Sequence, residues 1–256
     1  MNRLATECQR LFLPTPAPDA APPADPVQAL VDAQGRVRAA VLEVARPADW
    51  QALSAVWRGV QADLGLPEPA VAVNGRDGLQ LWFSLAQPVP LAQARAWLDG
   101  LRRRYLGELP LARVGLLPQP AAAGEAPHWG QAAAVLRQQP EGDCWAAFVA
   151  PDLAAVFADT PWLDLPPGAE GQAELLSRMR PMPHAAFTAL LAEWRPAAPP
   201  PPASPPPAVG DCDAAADLAA PEQARQFLLR VMHDDGVAMA LRIEAAKALL
   251  VAPGAP

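Results

Sequence analysis

Lysine is nearly absent from this chain, and acidic side chains outnumber basic ones. Of 256 residues, 20 are lysine or arginine and 27 are aspartate or glutamate, which gives a net charge of -7. Lys247 is the only lysine. Sequence-independent nucleic-acid binding depends on cations that neutralise phosphates, so this balance argues against the whole chain being a general nucleic-acid binder. No G-x-x-x-x-G-K-[ST] motif occurs, which excludes a P-loop nucleotide site.

Cysteine and histidine are also scarce. The chain has three of each: Cys8, Cys144 and Cys212, and His128, His184 and His233. The cysteines are far apart, odd in number and form no CxxC pair, which argues against a disulfide framework or zinc site and favours a reducing compartment. Each histidine lacks a carboxylate or cysteine at ligand spacing, so the sequence gives little support to a metal centre or a catalytic triad.

Long apolar runs are missing as well. No stretch approaches the roughly 18 consecutive apolar residues that a membrane-spanning helix needs. The run Leu11–Leu13 is too short for the apolar core of a signal peptide. We therefore expect a soluble, cytoplasmic protein without a membrane partner.

Proline, in contrast, is abundant, and its 33 residues mark the boundaries between segments. Residues 1–26 are predicted to be a loose lead-in, because their second half is rich in proline and alanine. The segment 196–210 is the strongest break: proline donates no backbone hydrogen bond, so an extended, semi-rigid linker is expected there. Another proline-marked boundary separates a first domain, 27–118, from an extension, 119–195.

Hydrophobic periodicity in the first domain predicts the order strand, helix, strand, strand, helix, strand. The predicted elements are strand 37–44, helix 47–64, strands 70–73 and 79–85, a helix that opens at Pro90, and strand 112–117. The two middle strands form a hairpin. The extension is expected to be mostly helical. The predicted fold class is therefore α+β, with a compact sheet covered by two helices.

The hairpin carries a resemblance to a known family. Residues 75–83 read Gly-Arg-Asp-Gly-Leu-Gln-Leu-Trp-Phe, between an apolar strand and a helix that opens with proline. This segment resembles the glycine-arginine-glycine-x-histidine-φ-tryptophan hairpin of archaeo-eukaryotic-type primase-polymerases, and residues 113–118 (RVGLLP) resemble that family's closing strand. The resemblance covers roughly residues 35–118 by the same element order. It implies an RRM-like catalytic domain, metal-dependent nucleotidyl transfer and a role in DNA replication.

Two positions depart from the family's pattern. Where the family has an Asp-x-Asp pair, this chain has Leu42-Glu43-Val44, which keeps at most one carboxylate. Nucleotidyl transfer needs clustered carboxylates to hold Mg²⁺ or Mn²⁺ against the triphosphate. Where the family has the hairpin histidine, this chain has Gln80, which carries no positive charge. We therefore expect a degenerate site without catalysis and without a cofactor. A Mg²⁺ or Mn²⁺ ion is expected only if the site is active.

The candidate nucleotide or nucleic-acid contacts are the residues that the resemblance and their charge single out: Arg76, Gln80, Trp82, Arg102, Arg103 and Arg113. Structural alternatives exist for them. The Asn-Gly and Asp-Gly dipeptides of the hairpin favour a plain turn, and the arginines at 102–104 suit a solvated helix end. Most of the eight tryptophans lie on apolar helix faces and suit the core. Glu43 is either a remnant ligand or a solvent-facing strand residue.

The C-terminal segment 211–256 is predicted to be a helical hairpin, with helices over 221–233 and 237–250. Its Arg-Ile-x-Ala-Ala-Lys-Ala-Leu stretch resembles a segment of small-terminase-like proteins from phages and prophage regions. On that basis Arg242 and Lys247 face DNA. Packing or oligomerisation through the apolar residues of the same helix is the alternative that we favour.

These features lead to one preferred hypothesis and two alternatives. We expect a non-catalytic accessory protein of DNA metabolism, from a mobile element or phage-related region, that binds single-stranded DNA or a replication or packaging protein. The first alternative is a protein-interaction adaptor that keeps the sheet only as a scaffold. The second is an active nucleotidyltransferase that recruits carboxylates such as Asp49 or Asp77. Convergence of Glu43, Gln80 and Arg113 on an open sheet face favours nucleotide binding, and a covered face favours the adaptor.

Overall fold

The computed structural model describes residues 3–15, 27–120, 127–138 and 142–194, together with Leu229. The chain divides into two units, residues 1–197 and 198–256. The linker predicted over 196–210 and the helical hairpin predicted over 211–256 lie outside the described residues, with the exception of Leu229.

The described residues form a mixed α+β structure, as predicted. Their helices are α1 (Arg3–Leu11), α2 (Trp50–Ala62), α3 (Leu91–Tyr105), α4 (Ala132–Arg137), α5 (Ala169–Ser177) and α6 (His184–Glu193). Short 3-10 helices occupy Gln28–Leu30, Leu111–Arg113 and Ala154–Phe157. Their strands are β1 (Arg36–Ala45), β2 (Ala70–Val73), β3 (Gly78–Pro90), β4 (Val114–Leu117) and β5 (Ala147–Val149).

These strands form one antiparallel sheet in the order β4-β1-β3-β2-β5. Between residues 36 and 117 the elements follow one another as strand, helix, strand, strand, helix, strand. Strand β1 therefore lies between β3 and β4, although the hairpin strands β2 and β3 follow it in sequence. The long pairing of β1 with β3 forms the centre of the sheet, and the strand at one edge, β5, comes from the predicted extension.

Different layers cover the two faces of the sheet, because successive side chains of a strand point to opposite sides. On one face, Phe83 meets Trp97 of α3 with ring centroids 4.9 Å apart. On the other face, Trp82 meets Phe12, which follows α1, at 5.1 Å and Phe148 of β5 at 5.6 Å. The side to which Trp82 points is called the α1 face below.

Residues 3–15 correct part of the prediction of a loose lead-in over residues 1–26, whose proline-rich second half, 16–26, lies outside the described residues. Residues Arg3–Leu11 form α1, and Leu4, Leu11 and Phe12 are buried in the core. Arg10 donates hydrogen bonds to two carbonyl groups at the end of α5, at 2.9 and 3.0 Å. Apolar residues at positions 4, 8, 11 and 12 follow helical spacing, so the signal was present but was masked by the proline-rich composition that follows it.

The extension 119–195 also differs from the prediction, because it contributes a strand to the sheet and belongs to the same unit as the first domain. Gln172 of α5 closes the outer edge of that strand. Its Oε1 accepts the N–H of Phe148 at 2.8 Å, and its Nε2 donates to the carbonyl of Phe148 at 2.7 Å. Since an open sheet edge invites pairing with another chain, this amide protects the sheet. A three-residue strand is too short for hydrophobic alternation to reveal.

Among the described residues, no helix is both long and apolar enough to cross a membrane. Cys8 and Cys144 are free thiols, and Cys212 lies outside the described residues. Burial, with a smaller contribution from the carboxylate of Glu7, raises the pKa of the Cys8 thiol to about 12. Such a thiol stays protonated and unreactive at neutral pH.

Candidate functional site

The candidate site lies where neighbouring strands carry polar side chains in one row. In the register of the sheet, Glu43 of β1 pairs with Gln80 of β3 and, on its other side, with Gly115 of β4. Directly paired residues point to the same face of a sheet, so Glu43 and Gln80 project side by side. They lie on the α1 face, because Trp82 is two residues from Gln80 on the same strand. The structure therefore brings these two candidate positions together.

The turn of the hairpin is organised by Asn74. Its side-chain oxygen accepts hydrogen bonds from the backbone N–H groups of residues 76–78, each at 2.9 Å. An asparagine turn of this kind fixes the loop without any ligand. Gly75 has a φ of +80°, and a Cβ there would lie 2.9 Å from the backbone nitrogen of Ala146, so both conformation and close approach require glycine. The predicted hairpin is confirmed.

A continuous chain of hydrogen bonds runs from this turn to the centre of the sheet. Trp82 Nε1 donates to Gln80 Oε1 at 2.9 Å, and Gln80 Nε2 donates to Glu43 Oε1 at 2.8 Å. Asn74 Nδ2 donates to the same Glu43 oxygen at 3.0 Å and to Asp77 Oδ1 at 3.2 Å. Gln80 thus accepts from the indole and donates to the carboxylate. A protonated histidine, whose two nitrogens both donate, cannot replace it in this chain.

The centre of the α1 face is closed to solvent. Gln80 is 0% and Trp82 1% exposed. Phe12, Trp82 and Phe148 form an aromatic cluster whose ring centroids are 5.1 to 5.8 Å apart. Edge-to-face and stacked pairs of this kind add to the free energy gained by burying the rings. A nucleotide reaches Gln80 or Trp82 only by displacing phenyl rings of the core.

The carboxylates near the turn do not cluster as a metal site. Asp77 and Glu43 approach the same amide nitrogen, that of Asn74. Asp49 instead caps α2 by accepting an amide hydrogen of its first turn at 2.9 Å, and it lies 3.6 Å from the guanidinium of Arg113. In the part of the chain that the structure describes, no group of three or more His, Cys, Asp or Glu side chains is placed to hold a metal ion.

Arg113 does not join Glu43 and Gln80. Its Nη2 donates to the carbonyl of Pro47 at 2.9 Å and lies 3.6 Å from Asp49. Its Nε is buried without a hydrogen-bond partner. Arg113 therefore ties the start of β4 to the loop before α2, and the predicted convergence is observed only for the other two residues.

The remaining predicted contacts lie in other places. Arg102 and Arg103 occupy the last turn of α3, on the opposite side of the sheet, and pair with Asp99 at 2.8 and 3.1 Å. Arg76 is exposed on the hairpin turn, where it borders a cleft. The residues predicted from the sequence therefore do not form a single site.

The cleft beside the turn has a volume of about 710 Å³, which lies within the usual range for ligand sites. Its walls are the turn with Arg76 and Asp77, residues 47–51 at the start of α2, and the segment 155–162. The backbone N–H of Gly75 donates to the carbonyl of Pro161 at 3.1 Å, which fixes this segment against the turn. The sequence did not predict this cleft, because its walls come from three separate segments.

Three tryptophans predicted for the core differ in how deeply they are buried. Trp97 is fully buried. Trp50 and Trp57 also pack against the core but are only partly buried, and each borders a cleft. Helical spacing predicts which residues of α2 form its apolar stripe, but it does not predict which of them the neighbouring elements cover completely.

Comparison with models of known protein families gave no match, and comparison with curated protein sequences gave none either. The functional assignment therefore depends on the residues and geometry of this chain.

Proposed function

We propose that the described part of the chain is an RRM-like domain with a degenerate primase-polymerase site, and that the protein acts as a protein-interaction adaptor without nucleotidyl transfer. The order of elements and the strand order β4-β1-β3-β2 support the RRM-like fold, since two interleaved β-α-β units produce this arrangement. Strand β5 is an addition at the edge.

The observation that carries the proposal is the closed hydrogen-bond chain on the α1 face. Gln80, at the position of the family's histidine, accepts from Trp82, donates to Glu43 and is fully buried. Phe12 and Phe148 cover the place where a nucleotide would lie. Because side chains of the protein itself cover the α1 face, this face is part of the hydrophobic core and is closed to a nucleotide. A covered face favours the role of an adaptor over nucleotide binding.

The arrangement of carboxylates also argues against catalysis. Metal-assisted phosphoryl transfer uses two or more carboxylates on a shared ion. Glu43 already accepts hydrogen bonds from the amides of Asn74 and Gln80. Asp49, which the active alternative would recruit, holds the start of α2 and faces Arg113.

Primer-synthesis and primer-extension assays with Mn²⁺, nucleotides and a single-stranded template test this proposal. We expect no product above a reaction without protein. Template-dependent extension that is lost in Glu43→Ala and retained in Glu108→Ala, an exposed surface glutamate, overturns it.

Single-stranded DNA binding is the second candidate function, and the end of α3 favours it. Arg103 and Arg104 are exposed there, and the guanidinium of Arg104 lies 5.6 Å from the ring centroid of Tyr105. Cations next to an aromatic ring are typical of single-strand contacts. Asp99 offsets part of this charge. The DNA or self-association role predicted for 211–256 lies outside the described residues and stays a prediction.

An electrophoretic mobility assay with single-stranded DNA at low and moderate salt tests this candidate. A shift that is lost in the Arg103→Glu, Arg104→Glu variant supports it. The absence of a shift at micromolar protein contradicts it.

A further inference from the structure

A groove lined by tryptophan follows the outer side of α2. The 710 Å³ cleft is lined by Trp50 and Trp162, and a second cleft of about 280 Å³ is lined by Trp50, Trp57 and Pro151. Both clefts border Trp50, and together they are called the tryptophan groove below. Trp50 and Trp57 are separated by about 10 Å along the helix, the length that about three residues of an extended peptide span.

Three exposed apolar side chains follow groove residues closely in the sequence, although they do not line the groove themselves. Leu153, Val156 and Leu165 are 53, 70 and 74% exposed. Leu153 precedes the 3-10 helix Ala154–Phe157 and Val156 belongs to it, and the same helix contributes Ala155 to the groove. Leu165 lies three residues after Trp162, which also lines the groove. Large apolar residues concentrated on one surface segment mark a site of association.

The charge of the groove is acidic. The residues that line it include four carboxylates and two guanidinium groups: Asp49, Asp77, Asp152, Asp159, Arg58 and Arg76. Asp49 already faces Arg113. Asp152 and Asp159 are exposed and take part in no ion pair among the described residues. An excess of negative charge beside apolar walls attracts and orients a cationic partner.

We propose that the tryptophan groove binds an extended, arginine-containing segment of a partner protein. The guanidinium lies in the part of the groove lined by Trp50, Trp162 and Asp159, and apolar neighbours of the arginine contact the exposed apolar side chains next to that part of the sequence. Arginine is favoured over lysine because its planar, weakly hydrated guanidinium stacks on an indole and still donates to a carboxylate. The inference rests on the proposed adaptor function, for which it names the docking surface and the chemistry of the partner.

Fluorescence anisotropy with labelled peptides tests the proposal on the full chain. The probe is a seven-residue peptide with a central arginine flanked by proline and leucine, and the matched peptides carry citrulline or lysine at the centre. We expect saturable binding of the arginine peptide. Citrulline keeps the shape but removes the charge, so binding weakens about tenfold, and lysine weakens it severalfold.

Variants of the groove locate the binding. Trp162 does not belong to the hydrophobic core or the side chains packed against it, so Trp162→Ala is expected to fold, which thermal melting checks, and to bind about tenfold more weakly. Asp159→Asn is expected to bind about threefold more weakly. Asp164→Asn is the matched control, because Asp164 is exposed on the same segment but does not line the groove.

Four results overturn the inference: no saturable binding, equal binding of the citrulline peptide, unchanged binding by Trp162→Ala, or displacement of the peptide by a short oligothymidylate. The last result assigns the groove to nucleic acid. None of them affects the primer-synthesis result, so failure of this inference is distinguishable from failure of the proposed function.

Discussion

The hairpin turn at residues 74–78 separates two surfaces of opposite character. On the α1 face, Glu43, Gln80 and Trp82 are joined in one hydrogen-bond chain beneath phenyl rings. In the tryptophan groove, indole rings are half-buried and the carboxylates of Asp152 and Asp159 are exposed. The first surface carries Glu43, Gln80 and Trp82 of the sequence resemblance, and the second carries only Arg76 and Asp77 of it.

The difference shows that a motif's position in the sequence and its accessibility are separate properties. Gln80 and Glu43 are paired in the sheet, and buried polar groups are costly to leave unsatisfied, so both side chains have a structural role there. The exposed carboxylates of Asp152 and Asp159 lie in the groove on the other side of the turn.

The largest expected effect follows from removing the ring that covers the α1 face. Phe12→Ala deletes contacts to both Trp82 and Phe148, so we expect the free energy of unfolding to fall by about 3–5 kcal/mol. Urea denaturation followed by circular dichroism measures it. Leu111→Ala, at a residue 69% exposed, is the control and is expected to change stability by less than about 0.5 kcal/mol. Equal effects in both variants would mean that α1 does not seal this face.

The next effect concerns the polar chain under that ring. Gln80→Leu keeps the size of the side chain but leaves the indole N–H of Trp82 without an acceptor and removes one hydrogen-bond donor from Glu43. We expect a loss of about 2–3 kcal/mol in the free energy of unfolding. Gln87→Leu, at an exposed position of the same strand, is expected to be nearly neutral. A neutral Gln80→Leu would show that the amide is not structural.

The protected sheet edge is expected to give a smaller effect. Gln172→Ala removes both hydrogen bonds to the backbone of Phe148, which we expect to lower the free energy of unfolding by about 1–2 kcal/mol and to increase self-association in analytical ultracentrifugation. Gln93→Ala on the exposed side of α3 is the matched control. Unchanged stability and association would contradict the role given to Gln172.

The smallest effect is a dependence of stability on alkaline pH. The folded state raises the pKa of Cys8 from 9.0 to about 12, so the unfolded thiol ionises first as pH rises. Stability is therefore full below pH 9 and declines between pH 9 and 12, by about 1 kcal/mol at pH 10. The Cys8→Ala variant, compared with the natural chain at pH 8 and pH 10, isolates this contribution. Identical pH profiles would contradict the burial of the thiol.

Much of the sheet could be predicted from the sequence, because each long element has its own periodicity. Strand β2 is found at the predicted residues, while β3 continues to Pro90 beyond the predicted end at 85. Prolines at 88 and 90 interrupt the alternation there without ending the pairing with β1. The strand β5 was missed because three residues are too few to show alternation, and the helix α1 was missed because a proline-rich stretch follows its helical spacing.

The candidate site could be predicted only in part. The adjacency of Glu43 and Gln80 follows from strand order, which the resemblance implied. The cover by Phe12 and Phe148 could not be predicted, since these residues lie far from the hairpin in sequence. The hydrogen bonds by which Asn74 joins the turn to Glu43 were not predicted, because Asn74 lies in an ordinary Asn-Gly turn. A polar residue before a glycine at the start of a hairpin loop is nevertheless a recognisable signal of a side chain that bonds the backbone of the turn.

The most direct test of the account is hydrogen exchange at the indole N–H of Trp82, followed by NMR in the absence and presence of Mg²⁺ and nucleotide. Because this group is bonded to Gln80 and 1% exposed, we predict exchange only through global unfolding, at a rate that nucleotide does not change. Rapid exchange from the native state, or protection that depends on nucleotide, would contradict the claim that this face is closed.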